Sequence, residues 1–322
     1  MAAAPPATGN LPAWLLRMTK TAKDQAAVRA VWKAIRLLPF MRNLASHLKH
    51  AENSLQPIRD LDKIAGLSLA RNESFFAAKA EAEKIEGMFS PFSMAIIDSL
   101  LALQKSSGMA GSMLEFGVYR GRSAALIGRY LAPGERLVLV DIADYLDRKA
   151  IEDFKSATDF LLTPTENFKA VYPEYRRRAR SFRFIHIDAS HAYRATFNEL
   201  QMADKLLSEG GIIALDDFTN LNYSQNISAI FKYLHTTRTD LTMFLATDEK
   251  AYLCRKPYRE FYAAFVLDQM IAEMGSRDID NLYLARTDMD SEHRAFYARK
   301  RLPDETGHFY GRDIYAGNFE RP

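Results

Sequence analysis

Residues 113–123 constrain the fold of this chain more than any other feature of the sequence. They read MLEFGVYRGRS, an apolar stretch that ends in Glu115, followed by a short loop that carries Gly117 and Gly121. The residues that follow, 122–131, have the composition of a helix. Glycine lets the backbone approach a ligand closely, and the first turn of a helix offers free N–H groups. The segment therefore predicts a strand, a ligand-binding loop and a helix of an α/β fold.

The next apolar run, residues 136–141, ends in a second acidic residue. It reads RLVLVD and places Asp141 about 24 residues after Gly117, where nucleotide-binding folds hold ribose hydroxyls. A dinucleotide-binding fold would have the pattern G-x-G-x-x-G, whereas this loop reads E-x-G-x-x-x-G-x-S. The missing glycine disfavours a nicotinamide-dependent oxidoreductase, and a binding test with NAD(H) would exclude one.

The loop resembles the first motif of class I S-adenosylmethionine-dependent methyltransferases. The resemblance implies S-adenosylmethionine as cofactor, with Glu115 and Gly117 facing its amino-acid part and Asp141 holding its ribose. The alternative is a tight strand–helix turn of some other α/β protein. The predicted cofactor-binding residues are Glu115, Phe116, Gly117, Val118, Tyr119, Gly121, Ser123, Asp141, Ile142 and Asp188.

Composition restricts the class of protein. With 48% hydrophobic and 26% charged residues, the 322-residue chain has the composition of a globular protein. The net charge of +3 does not indicate a nucleic-acid partner. A single cysteine, Cys254, excludes an internal disulfide framework and a cysteine zinc site. Because the sequence has neither a secretory signal nor an apolar run of roughly 18–20 residues, we expect a cytoplasmic protein without a membrane span.

Three segments are predicted along the chain. Residues 1–85 form a basic helical segment with a disordered tip of about ten residues. Residues 86–258 form the methyltransferase domain, and residues 259–322 form an extension of unknown role. The helical face at residues 26–38 is a candidate contact for a homo-oligomer, although the same pattern also occurs in helices that dock on their own domain or on a membrane.

Alternating strands and helices follow Asp141. The pattern predicts a doubly wound, mostly parallel α/β sheet of seven strands, a Rossmann-like methyltransferase fold. A helix starts at Ser90–Pro91, because serine caps helices and proline suits their first turn. The later strands are predicted at residues 159–166, 182–188 and 212–217, followed by a hairpin over residues 241–255.

Acidic residues end two of these strands. Asp188 ends one, and Asp216 and Asp217 end the next, so all three should meet at the same edge of a parallel sheet. Adjacent carboxylates repel unless a cation or a shared proton relieves them. Three oxygen ligands with open positions suit Mg²⁺ or a similar divalent ion. The alternative is a cap or turn in which Asp217 bonds to the residues that follow it.

The surrounding residues sharpen the resemblance. Residues 184–193 read FIHIDASHAY and residues 210–218 read GGIIALDDF. Both are similar to the metal-dependent sugar O-methyltransferases of macrolide and aminocoumarin biosynthesis, over about residues 86–256. The resemblance implies that Asp188, Asp216 and Asp217 bind the metal. It also implies that a sugar or glycosylated small molecule accepts the methyl group.

One departure from that family affects the catalytic base. The relatives often read Asp-Gly-Asp at this strand end, with the second aspartate as base, but here the matching residue is Ser190. His191 is then the nearest group that can accept a proton near neutral pH, with helix capping as its alternative role. His186 is predicted to be a core histidine whose side chain points away from Asp188.

Two alternative functions stay open at this stage. One is a metal-independent methyltransferase of the same fold, acting on another small molecule. The other is a cofactor-binding or assembly protein that does not catalyse a reaction. Sensitivity to a chelator separates the first from the metal-dependent enzyme, and cofactor binding without turnover would indicate the second.

Overall fold

The structure is a computed structural model that describes residues 69–280, 282–287 and 295–300. The predictions for residues 1–68 and 301–322 lie outside these ranges. Within the described residues, no helix combines the length and the apolar character that crossing a membrane requires.

The described chain forms one mixed sheet of nine strands with packed helices. The α-helices are α1 (Glu73–Glu83), α2 (Pro91–Ser106), α3 (Arg122–Ile127), α4 (Phe168–Val171), α5 (Tyr193–Leu206), α6 (Ser224–Thr236), α7 (Arg259–Asp268) and α8 (Met270–Gly275). The strands are β1 (Ser112–Phe116), β2 (Leu137–Asp141), β3 (Thr158–Leu162), β4 (Phe182–Ile187), β5 (Leu207–Leu215), β6 (Leu241–Thr247), β7 (Ala251–Arg255), β8 (Leu282–Arg286) and β9 (Phe296–Lys300).

The strand order is β3-β2-β1-β4-β5-β7-β6-β9-β8. Strands β1 to β5 are parallel, and β7 runs antiparallel between β5 and β6. The predicted doubly wound, mostly parallel sheet with its terminal hairpin is confirmed. Because the chain order reverses between β1 and β4, a crevice opens there at the carboxyl ends of the strands, where α/β folds bind ligands.

Local sequence explains these elements. The runs that form β1 and β4 are buried throughout, as expected for parallel strands covered on both faces. Helix α2 begins as predicted: the Ser90 side chain accepts a hydrogen bond from the Ser93 N–H, and Pro91 occupies the first turn. The buried face of α2 supplies much of the core, including Met94, Ile97 and Leu101.

Two strand boundaries differ from the prediction. Strand β3 ends at Leu162: the Thr163 N–H still donates to the Asp141 carbonyl of β2, but Pro164 follows and has no N–H to continue the ladder. Strand β5 begins at Leu207, directly after α5, instead of at residue 212. The register against β4 shifts where Gly210 and Gly211 pass, so these glycines lie within an irregular strand and do not separate it from the helix.

The prediction of seven strands was wrong by two. Strands β8 and β9 lie within the predicted C-terminal extension and pair with each other, and β9 adds in parallel to the outer edge of β6. Several of their residues, among them Tyr283 and Tyr297, are buried. An uncovered β6 would expose a row of unpaired backbone groups, and the extension removes that open edge.

Candidate functional site

A cavity of about 1030 Å³ lies at the carboxyl ends of the parallel strands. Its walls come from the loops after β1, β2, β4 and β5, the turn between β6 and β7, and the chain that leads into α2. The predicted site residues that line it are Gly117, Val118, Tyr119, Ser123, Asp141, Ile142, Asp188, His191, Asp216 and Asp217. Glu115, Phe116 and Gly121 lie behind the lining.

The glycine loop passes very close to the end of β4. Gly117 has φ +81°, and a Cβ atom built on it would lie 2.0 Å from the Asp188 carbonyl oxygen. Gly121 has φ +89° and faces the side chains of Leu146 and Ala150. Both positions therefore require glycine for backbone conformation and space. The close approach at Gly117 is to the protein's own backbone, which the sequence did not reveal.

The Asp141 carboxylate stabilises the glycine loop through hydrogen bonds. Its Oδ2 accepts hydrogen bonds of 2.8 Å from both the Val118 and the Tyr119 N–H groups, and its Oδ1 accepts one of 3.0 Å from the Ala143 N–H. A carboxylate has about four lone-pair positions, so one acceptor position remains on Oδ1. Asp141 can thus hold the loop in shape and still accept a hydrogen bond from a ligand hydroxyl.

Below the cavity floor, Glu115 connects two side chains. Its Oε1 accepts a hydrogen bond from the Ser123 hydroxyl at 2.5 Å and lies 2.7 Å from His186 Nδ1. Glu115 and His186 are fully buried, and Glu115 Oε2 and His186 Nε2 have no hydrogen-bond partner among the described residues. The predicted burial of His186 is correct. The predicted direction was wrong, because residues two apart on a strand share a face, and His186 belongs to one cluster with Asp188 and Asp216.

The predicted acidic cluster is present in part. Ligand atoms of His186, Asp188 and Asp216 all lie within 4.8 Å of one another, but Asp217 is not in this group. The Lys250 ammonium lies 2.5 Å from Asp216 Oδ1, and the lysine side chain is 2% exposed. A buried protein cation therefore already neutralises one of the predicted metal ligands.

The charges in this cluster are coupled. Burial alone would lower the pKa of Lys250, but the carboxylates of Asp216 and Asp188 raise it above its ordinary value, so the side chain is cationic at neutral pH. Burial opposes ionisation of Asp216, yet the Lys250 ammonium lowers its pKa to about 2. Burial and the neighbouring Asp216 raise the pKa of Asp188 well above its usual range. Asp216 is therefore the ionised member of the pair.

His191 and Asp217 form a second pair beside this cluster. His191 Nε2 lies 3.3 Å from Asp217 Oδ2 and 3.6 Å from Asp188 Oδ1. Asp217 Oδ1 accepts a 2.9 Å hydrogen bond from the Asn220 side chain, as the turn alternative for Asp217 predicted. Burial lowers the pKa of His191, although Asp217 acts in the opposite direction. His191 is therefore a neutral imidazole at pH 7, the form that accepts a proton.

Backbone strain concentrates around the cavity. Tyr119, His191 and Asp217 line it and have φ values of +47°, +53° and +52°. A non-glycine residue in this left-handed region costs on the order of 1–3 kcal/mol, and such residues cluster at functional sites. The positions of these three side chains are thus imposed by the surrounding structure.

Sequence reasoning missed two groups of the site. Lys250 and Glu249 lie in the turn between β6 and β7, which the sequence identified only as a turn. Tyr223 also escaped notice, and its ring centroid lies 4.7 Å from that of His191. The sequence did contain one indication of Lys250. The adjacent acids Asp216 and Asp217 need a counter-charge, and a lysine at the end of a neighbouring strand can supply it.

Known proteins resemble parts of this chain in sequence or in structure. Residues 114–218 match the family described as "Methyltransferase domain". A search of curated sequences finds no match. Similar solved structures include cofactor-bound Rv0187 from MTB, with 17% identity over 57% of this chain and 88% of that chain at a TM-score of 0.43. An O-methyltransferase from Bacillus cereus in complex with SAH has 16% identity over 60% and 94% of the two chains at a TM-score of 0.42. CalS11, a TDP-rhamnose 3'-O-methyltransferase of calicheamicin biosynthesis, has 17% identity over 61% and 99% at a TM-score of 0.41.

The family match carries the assignment, since the structural similarities are weak. It covers the last three residues of β1, the glycine loop, Asp141, Asp188, His191 and the pair Asp216–Asp217. The match identifies a methyltransferase domain over residues 114–218, as the resemblance to class I S-adenosylmethionine-dependent methyltransferases predicted.

Proposed function

We propose that this enzyme transfers the methyl group of S-adenosylmethionine to a hydroxyl oxygen of a sugar or glycosylated small molecule. The observation that carries the proposal is that one cavity contains both a loop anchored by Asp141 and a neutral histidine paired with Asp217. The first part can bind the cofactor, and the second can accept a proton from an acceptor hydroxyl.

The cofactor is proposed to occupy the side of the cavity formed by the loops after β1 and β2. Asp141 offers its remaining acceptor position to a ribose hydroxyl. Ile142 and Tyr145 are 72% and 60% exposed and line the same wall, so they provide an apolar surface for a base. Glu115 lies behind this wall, and its contribution is to position Ser123.

His191 is proposed as the general base. In the reaction the S–CH₃ bond breaks as a new O–CH₃ bond forms, and the hydroxyl proton must leave the acceptor oxygen. A neutral His191 can take that proton, and the nearby Asp217 carboxylate stabilises the resulting imidazolium. Holding the acceptor oxygen in line with the sulfonium supplies much of the rate increase, on the order of 7–11 kcal/mol in well-oriented systems.

The acceptor class follows from the resemblance and is supported by the lining of the cavity. Around His191 the wall presents the side chains of Asp217, Asn220 and Asn222, which can exchange hydrogen bonds with several hydroxyls. Tyr223 adds an aromatic surface on which a sugar ring can lie.

The predicted divalent ion does not fit the residues as they are arranged. Three carboxylates were expected to converge on it, but Asp216 is paired with Lys250 and Asp217 lies outside the group that could share an ion. His186 Nε2, which has no hydrogen-bond partner in the described part of the chain, would replace an oxygen ligand with a nitrogen, and Mg²⁺ prefers oxygen. We therefore assign no step of the reaction to a metal.

The proposal also includes the division of the chain into segments, its oligomeric contacts and its location in the cell. We place the methyltransferase domain at residues 86–258 and the extension at residues 259–322. The segment of residues 1–85 is proposed to mediate homo-oligomer contacts, and the enzyme is proposed to act in the cytoplasm.

An assay with labelled S-adenosylmethionine and a panel of glycosides and sugar nucleotides tests the function. We expect transfer of the labelled methyl group to oxygen of at least one acceptor, identified by mass spectrometry of the product. Cofactor binding without transfer to any hydroxylated acceptor would support a non-catalytic cofactor-binding protein. Methylation on nitrogen or carbon would contradict the proposed acceptor atom.

A further inference from the structure

We propose that Lys250 is the permanent cation of this site, and that its ammonium takes the place of a divalent metal beside Asp188 and Asp216. The proposal deepens the proposed function, on which it rests for the reaction itself. Its consequence is a methyl transfer that needs no metal and an acceptor that needs no pair of chelating hydroxyls.

The position of the ammonium is the first argument. Lys250 Nζ lies 2.5 Å from Asp216 Oδ1 within the cavity wall, where the lysine and aspartate side chains are 2% and 14% exposed. The same ammonium lies 5.6 Å from the centroid of the Phe89 ring, so one side of it faces an aromatic surface. A lysine this deeply buried is found where a carboxylate compensates its charge.

The backbone holds Lys250 in this position. The Thr247 N–H donates to the Lys250 carbonyl at 2.8 Å, and the Lys250 N–H donates to Thr247 Oγ1 at 2.8 Å. The neighbouring Glu249 accepts hydrogen bonds from the hydroxyls of Ser90 and Ser93 at the start of α2. The turn between β6 and β7 is thereby fixed at both ends, which holds the backbone of Lys250 beside Asp216.

The same turn is tied to the acidic loop. The Phe218 N–H, directly after Asp217, donates a 2.9 Å hydrogen bond to the Glu249 carbonyl. Asp216 and Lys250 are therefore placed relative to each other by backbone contacts as well as by their ion pair. The site thus holds an ammonium group in a fixed position beside Asp216.

An ion bound to Asp216 would conflict with this arrangement. Mg²⁺ binds carboxylate oxygen at roughly 2.0–2.1 Å, which would place it within roughly 4–5 Å of the ammonium on the same carboxylate. Two unscreened cations at that distance repel in a buried site. The acceptor must then be oriented by hydrogen bonds to His191, Asn220 and Asn222, so an isolated hydroxyl is sufficient.

Direct metal binding tests the proposal without an acceptor or a cofactor. Mn²⁺ replaces Mg²⁺, and the paramagnetic resonance signal of free Mn²⁺ is measured with wild type, Asp216→Asn, Lys250→Met and the double variant. We expect wild type and Asp216→Asn to leave the signal equally unchanged. We expect Lys250→Met to bind one Mn²⁺ per chain with at least about tenfold higher affinity, and the double variant to lose that binding again.

The controls separate charge from folding. Lys84→Met removes an exposed lysine and should behave as wild type, and Lys250→Arg keeps the charge and should bind no Mn²⁺. Lys250→Met should lower Tm by about 6–20 °C because it leaves Asp216 buried without its cation.

If the Lys250→Met variant does not fold, the comparison of Mn²⁺ binding by wild type and by Asp216→Asn tests the proposal alone. Mn²⁺ binding by wild type that is lost in Asp216→Asn would overturn the proposal, as would a folded Lys250→Met that binds no more Mn²⁺ than wild type. Absence of methyl transfer would instead contradict the proposed function and leave this result standing.

Discussion

Replacing Gly117 with alanine is expected to destabilise the domain by more than about 4 kcal/mol, in the range reached only by severe disruptions of a fold. The methyl group would lie 2.0 Å from the Asp188 carbonyl oxygen and 2.5 Å from its carbonyl carbon, both of them backbone atoms that cannot rotate away. The φ of +81° adds the cost of a left-handed conformation for a residue with a side chain. Urea denaturation followed by circular dichroism measures the loss.

The matched control is Gly134→Ala. Gly134 has nearly the same φ, +85°, but a Cβ atom built on it meets nothing within 4 Å. We therefore expect only the conformational cost, about 1–2 kcal/mol. Equal destabilisation by the two variants would contradict the steric clash between a side chain at position 117 and the Asp188 backbone. Because the close approach at Gly117 is to the backbone of Asp188, a side chain there should disturb the fold itself.

Replacing His191 with alanine is expected to reduce turnover by roughly 10²–10⁴-fold, the usual contribution of a general base. Cofactor affinity should change little. His191 also controls the pH dependence: burial lowers its pKa below 6.5, so the neutral, active form is present above that pKa. The turnover of wild type should therefore fall on the acidic side of the pH–rate profile, at a pH below 6.5. The residual turnover of His191→Ala should not show this acidic decrease.

The control for this measurement is His235→Ala, since His235 is exposed on α6 and does not line the cavity. It should retain wild-type kinetics and the same pH profile. If His191→Ala were to keep near-normal turnover, His191 would be a structural partner of Asp217, and the base would have to be another group.

The parts of the site that the sequence predicted are those set by local patterns. An apolar run ending in an acid, a glycine loop and a helix start lie within eleven residues and place Gly117 and Ser123. The acid that ends the next apolar run places Asp141 in the same way. Parallel strands share an edge, which explains why Asp188 and Asp216 could be expected to meet.

The parts that the sequence did not predict depend on contacts between distant segments. Lys250 reaches Asp216 because β7 inserts between β5 and β6, and a turn residue carries no pattern that indicates such a pairing. Asp217 departs from the predicted cluster because the chain turns there with a φ of +52°. The two extra strands escaped notice because β8 and β9 read LYLAR and FYARK and lack the continuous apolar runs that mark β1 and β2. They pair with each other and with β6.

Calorimetric titration with S-adenosylhomocysteine tests the central claim, that this cavity binds the methyl-donor cofactor, most directly. Wild type should bind one molecule per chain, and Asp141→Ala should weaken binding by roughly 10–150-fold, the value of a hydrogen bond to a charged group. Asp144→Ala is the control, because Asp144 is a nearby exposed acid paired with Arg148 that does not line the cavity, and it should bind as wild type does. Failure of wild type to bind, or undiminished affinity in a folded Asp141→Ala variant, would contradict the account.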